Sequence, residues 1–144
     1  MNMGSPADKK ISDAMNRIRH AIARGVVDAA GDIRSRAVKG APVDTGNLRK
    51  SAEIFIDGSQ SSSLNATVMT RRVCVRFTAP YAGYVHNAPG KMRGIPRNPP
   101  RRGMYWDPMG AGPKFLLNAA DEVSRRIESY IKRRVSQVMP NAEV

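Results

Sequence analysis

Cysteine is nearly absent. Cys74 stands alone in 144 residues, so no disulfide can form within the chain, and a reducing, cytosolic setting fits. Histidine is as sparse, with only His20 and His86. Two imidazoles and one thiol do not readily complete a zinc site, so no metal or other cofactor is expected. No run approaches the roughly 20 apolar residues that cross a bilayer, and Met1 to Lys10 lacks the apolar stretch of a secretory signal. Aromatic residues make up only 6% of the chain, but 41% apolar residues suffice for a packed fold. Acidic residues are outnumbered, 12 against 24 Lys and Arg, for a formal charge of +12. From Gly58 to Trp106 they are missing altogether, while eight basic residues fall inside that stretch. Membrane-spanning, disulfide-scaffold and zinc-finger classes are thereby excluded. A small basic protein of one domain is left, with an anionic partner, either double-stranded DNA or an acidic protein surface.

What is present falls into blocks of different period. Ile11, Met15, Ile18, Ile22, Val26, Ala29, Ile33 and Ala37 recur at steps of three or four, which predicts a helix over 9–39 behind a flexible segment 1–8. Such a helix is about 45 Å long. That length fits either a long core helix or one that also packs against a neighbouring subunit. Gly25 and Gly31 mark a bend or a close backbone approach. Gly40, expected in a left-handed conformation, and Pro42 end the helix. Over 52–79 the period becomes two: Ile54 and Ile56, then Val73, Val75 and Phe77, with a further strand over Asn65 to Thr70. Short connections predict an antiparallel sheet of about three to four strands. Tyr81 to Asn87 reads as a short helical or irregular segment. Residues 88–113 hold six prolines and five glycines and predict an extended basic loop. Pro113 opens a last helix over 113–138. The expected class is α+β: long N-terminal helix, small antiparallel sheet, long basic loop, C-terminal helix.

Motifs for chemistry are weak. Asp44-Thr45-Gly46 matches the aspartic-protease tripeptide, in which two aspartates share a proton and activate water. That signature ends an apolar strand, whereas here it follows Gly40-Ala-Pro-Val43. The alternative is that Asp44 caps the turn Thr45 to Ser51, with Gly46 tolerating the bend. His86 has no Cys or Ser partner with an acid behind it. Met109-Gly-Ala-Gly-Pro113 is too short for a dinucleotide loop. No catalytic residues are expected, and the protein reads as a non-enzyme.

Three segments, taken in order, carry a resemblance. They are Ala41-Pro-Val-Asp-Thr-Gly-Asn-Leu-Arg-Lys-Ser51, then Pro80-Tyr-Ala-Gly-Tyr-Val-His86, then Gly112-Pro-Lys-Phe-Leu-Leu-Asn-Ala-Ala120 after Tyr105-Trp-Asp-Pro-Met-Gly. Their order resembles the phage minor structural family typified by gene product 10 of phage HK97, over about Ile11 to Val138. The motif positions are Pro42, Asp44, Thr45, Gly46, Leu48, Arg49, Tyr81, Tyr84, Phe115 and Leu116. The Arg/Pro loop from Lys91 to Arg102 is a departure from the family pattern. The resemblance implies a virion protein of the head–tail junction, assembled in the host cytoplasm. It would form a six- or twelve-fold ring that joins connector-side to tail-tube-side phage proteins, with packaged double-stranded DNA as a further partner. On that reading Arg93, Arg97, Arg101 and Arg102 make the contacts, Tyr105 and Trp106 anchor the loop, and the loop orders on assembly. A non-specific DNA-binding protein is the alternative that the charge supports.

Overall fold

A computed structural model describes residues 4–56, 59–60, 72–99, 103–108 and 110–141. Helix α1 spans Pro6–Gly40, starting earlier than the apolar pattern. The reason is a capping box. The Ser5 hydroxyl accepts from the Asp8 N–H at 3.2 Å, while the Asp8 carboxylate accepts from the Ser5 N–H at 2.8 Å. Pro6 occupies the first turn, where its missing N–H costs nothing. Residues 5–8 are therefore the cap and first turn of the helix rather than a loose lead-in. At the other end Ala41 turns extended at φ −75°, ψ 139°. Gly40 is thus the last helical residue and does not adopt the left-handed conformation expected of it. A Cβ added there would lie 3.2 Å from Phe115 Cβ, so close packing is its requirement.

After the single-turn helix α2 (Asn47–Lys50) come strands β1 (Ala52–Ile56), β2 (Ser59–Gln60) and β3 (Val73–Phe77). The sheet order is β2-β1-β3, antiparallel throughout. Its substance is the β1/β3 pair, which runs from Ala52 opposite Phe77 to Ile56 opposite Val73. The sheet is smaller than expected, two five-residue strands with a two-residue edge. The strand expected over 65–70 lies outside the described residues. Alternation holds: Ala52 and Ile56 are buried, while on the other face Arg76 stacks 3.3 Å from the Phe55 ring centroid and pairs with Glu53 at 3.6 Å. Arg34 fastens the sheet to α1 by donating to the Ala52 carbonyl at 2.9 Å.

Helix α3 (Ala82–Asn87) follows, and the expected C-terminal helix is two helices, α4 (Phe115–Ser124) and α5 (Ile127–Val138). Pro113 precedes α4 rather than opening it. At the break the Arg126 and Ser129 N–H groups bond three residues back, to Val123 and Arg126, instead of four. The hydroxyls of Ser124 and Ser129 bond carbonyls three residues back as well, competition that bends helices. The kink lets both halves follow α1. Where α1 meets α5, a Cβ on Gly25 would sit 2.7 Å from Ile131 Cα. Gly25 is a close-approach glycine; nothing lies within 4 Å of a Cβ on Gly31.

The core is small and alanine-rich. Ala37, Ala41, Leu48, Ala82, Phe115 and Ala119 form its buried cluster, with Ile33, Phe77, Val85 and Leu116 packed around it. The Phe115 ring meets Phe77 and His86 edge-on, each at 5.1 Å between centroids. A half-exposed polar layer joins α1 to α4 and α5. Arg134 bonds Asp28 at 2.6 and 3.0 Å, Arg36 bonds Asp32 and Glu122, and the Tyr130 hydroxyl donates to Asp32.

Candidate functional site

The segment 41–51 is the hinge on which the site is built. Leu48 inserts into the core cluster. Arg49 reaches back to the end of α1, its Nε and Nη2 donating to the Ala41 carbonyl at 2.9 and 2.8 Å and Nη2 to the Lys39 carbonyl at 2.9 Å. Those carbonyls are among the acceptors a helix end leaves unpaired, and a cation there also suits the helix dipole. Gly46, at φ 83°, starts α2 in a conformation that favours glycine.

Asp44 does not cap that turn. Its Oδ1 accepts from Arg97 Nη1 at 2.6 Å, while Arg97 Nη2 donates to the Val43 carbonyl at 2.8 Å. The turn's own side-chain bond comes from Thr45, whose Oγ1 accepts from the Asn47 N–H at 3.5 Å. Arg97 is only 9% exposed in its side chain, so it clamps the loop to the motif. Arg93 also folds inward, its Nη2 donating to the Ala111 carbonyl at 2.5 Å. Arg101 and Arg102 lie outside the described residues.

Between these pieces opens a cleft of about 620 Å³. One wall is the motif segment, with Pro42, Asp44, Thr45, Gly46 and Leu48. A second is Tyr81, Tyr84 and Val85 around α3, and a third is Met92, Arg97, Tyr105 and Trp106 from the loop. Segments distant in sequence therefore converge on one concave, largely apolar surface that holds the rings of Tyr81, Tyr84, Tyr105 and Trp106. Tyr84 is 82% exposed and Met92 45%, while Tyr105 and Trp106 are half-buried. Phe115 and Leu116 lie in and beside the core cluster that Leu48 shares with the cleft wall. Sequence reasoning missed Met92 and Val85; the apolar step from Tyr81 through Val85 was the available signal.

The loop has more structure than its composition implies. The Tyr105 N–H donates to the Ile95 carbonyl at 2.9 Å and the Arg97 N–H to the Gly103 carbonyl at 3.0 Å, a small ladder around the Pro96–Met104 bridge. The Asp107 carboxylate accepts from the Met104 N–H at 2.7 Å. Backbone bonds from Val43 to Asp107, from Gly112 to Gly40 and from Lys114 to His86 tie it down at three points. In the described residues of the loop, this order is present within the single chain.

Catalytic arrangements do not assemble around the sequence candidates. The Asp44 carboxylate is bonded to a guanidinium, where protease chemistry needs a second carboxylate. His86 meets Phe115 edge-on, and its Nε2 accepts from the Leu117 N–H at 3.4 Å; it is a packing residue. Among the described residues no group of His, Cys, Asp or Glu is placed to hold a metal, and no helix is long and apolar enough to cross a membrane.

A long helix thus carries a small sheet, with the cleft at one end and an exposed first stretch at the other. The chain belongs to the HK97 gp10-like family: residues 7–87, more than half of it, match the family described as "Bacteriophage HK97-gp10, putative tail-component". Membership makes it a structural component of tailed-phage tails, associated with the virion and with other phage structural proteins. The match takes in α1, the motif segment, the sheet and α3, and ends before the loop. No curated protein and no solved structure matches the chain.

Proposed function

We propose that this protein is a tail-completion or neck protein that closes into a ring, six- or twelve-fold, between connector and tail, and that it is not an enzyme. One observation carries the reading: among the described residues, two unlike apolar surfaces stay exposed, toward opposite ends of α1. At the start Ile11 is 60% and Met15 48% exposed; at the cleft Tyr81 is 44% and Tyr84 82% exposed. The rise of α1 separates Ile11 from Gly40 by about 44 Å, so one chain cannot join them. Unlike patches on one subunit suit heterologous contacts, which close into rings when the rotation allows. In this reading the arm of one copy packs against the aromatic cleft of the next. Tyr105 and Trp106 are its buried anchors, and Arg101 and Arg102 remain candidates for contacts with connector or tail.

The test is retention and stoichiometry in particles. Virions carrying a tagged copy are purified, treated with nuclease and high salt, and analysed by quantitative mass spectrometry. A fixed small copy number, lost together with head–tail joining in a Met15→Asp variant, is the expected result. Complete release by salt and nuclease refutes the ring.

A further inference from the structure

The net charge raised an anionic partner, and the sequence pointed to the loop. Among the described residues the structure adds a second group of exposed cations, on α1. Arg97 and Arg93 are spent on Asp44, Val43 and Ala111 within the chain. On α1, by contrast, the side chains of Lys10, Arg17 and Arg24 have no hydrogen-bond or ion-pair partner among the described residues, and all three are exposed. Their spacing of seven residues puts them on one face, about 10 Å apart in a row of about 21 Å. Arg17, His20 and Arg24 then line a furrow of about 260 Å³ between α1 and α5, with Arg134 and Gln137 on its far side. No carboxylate lines the furrow. The nearest acids along α1 are Asp13, one turn before Arg17, and Asp28, which is bonded to Arg134 and holds that guanidinium in place. Arg133 continues the charge along α5, exposed beside Tyr130.

We infer that this α1–α5 face binds the phosphate backbone of double-stranded DNA. Charge complementarity carries the assignment: three exposed cations recur at one spacing along α1, and the furrow beside them has no carboxylate in its lining. Asp13 is the one acid within the span of the row, and the apolar stripe of α1, Ile11 and Met15, occupies another face. A straight row of about 21 Å covers about six base pairs of B-DNA and suits a regular polyanion. Nothing in it offers a fork of side chains on a groove-reading helix, so contact is with phosphate and blind to sequence. This inference does not depend on ring closure.

The experiment is fluorescence anisotropy of the full chain with a 25-base-pair duplex, from 50 to 200 mM salt. With four phosphates neutralised, affinity falls about 100-fold across that range. Lys10→Gln/Arg17→Gln/Arg24→Gln lowers affinity at least tenfold at 50 mM and reduces the slope of log K against log salt by about 3. Arg17→Lys/Arg24→Lys keeps both, and Arg101→Gln/Arg102→Gln changes neither. Circular dichroism melts that superpose show that these exposed changes leave the fold intact. The inference is overturned if the triple variant binds like the parent, or if the loop variant accounts for the loss. It is equally overturned if polyglutamate competes as well as unlabelled duplex does, which would make the face a dock for acidic protein.

Discussion

The two ends of α1 obey the same period and meet different fates. Ile11 and Met15 stand in the same apolar stripe as Ala29 and Ala37, yet the first two are 60% and 48% exposed and the last two 1% and 0%. What differs is cover. α4 and α5 run along the later turns, pressed close where Gly25 meets Ile131, and α5 ends at Val138 beside Arg17 and Ala21. The first turns of α1 overhang. A stripe therefore reports that a surface is to be buried, and only the fold says whether the chain buries it itself. The core that α1 does bury is made mostly of small residues, with Val123 the largest side chain fully enclosed among the described residues. Modest burial within one chain is what an assembly subunit can tolerate, since partners add stability by mass action.

The sharpest way to break the embedded end is Phe115→Ala. It removes the ring that touches Phe77, His86 and Gly40, and a loss of about 3–5 kcal/mol is expected by urea denaturation. Gly25→Ala pushes a methyl into the α5 backbone and should cost about 1–3 kcal/mol. Gly31→Ala meets open space on the same helix and should add up to about 1 kcal/mol. The opposite signs at the two glycines test the close approach directly. At the overhanging end, Ile11→Asp/Met15→Asp should change the monomer's stability by less than about 0.5 kcal/mol. Sedimentation velocity should nevertheless show self-association abolished.

The polar layer between α1 and α5 gives a pH signature. The Tyr130 hydroxyl, and then Arg36, hold the Asp32 carboxyl below its ordinary value, while the bond to Asp32, and then burial, push the Tyr130 phenol up. A depressed carboxyl contributes stability that is present above its unfolded value near 3.8 and lost as pH falls through the folded one. A raised phenol contributes stability that is present below 10.0 and lost as pH rises through its folded value. Tyr130→Phe should therefore weaken the decline at both extremes, as read from thermal melts across pH. This is the smallest effect expected.

Much of the frame was legible. The 3.6 and 2.0 periods located α1, β1 and β3 because those elements bury one face each. Pro42 and the motif from Asp44 to Arg49 marked the hinge and the family. The kink at Arg125–Arg126 was not legible, because the apolar stripe runs through it and only serine-to-carbonyl bonding and the path along α1 separate α4 from α5. The loop misled for a related reason: proline and glycine forbid long elements, but the ladder of Ile95 and Arg97 against Tyr105 and Gly103 needs partners ten and six residues apart to meet. Arg97 and Asp44 are 53 residues apart, beyond the reach of any local pattern. By itself, then, the sequence determined the helical and extended periods, the hinge and an excess of positive charge, all local or summed properties. Only the tertiary structure decided which arginines are consumed at home, which face stays cationic and where the aromatic side chains converge, because pairing and burial depend on what long-range packing brings together.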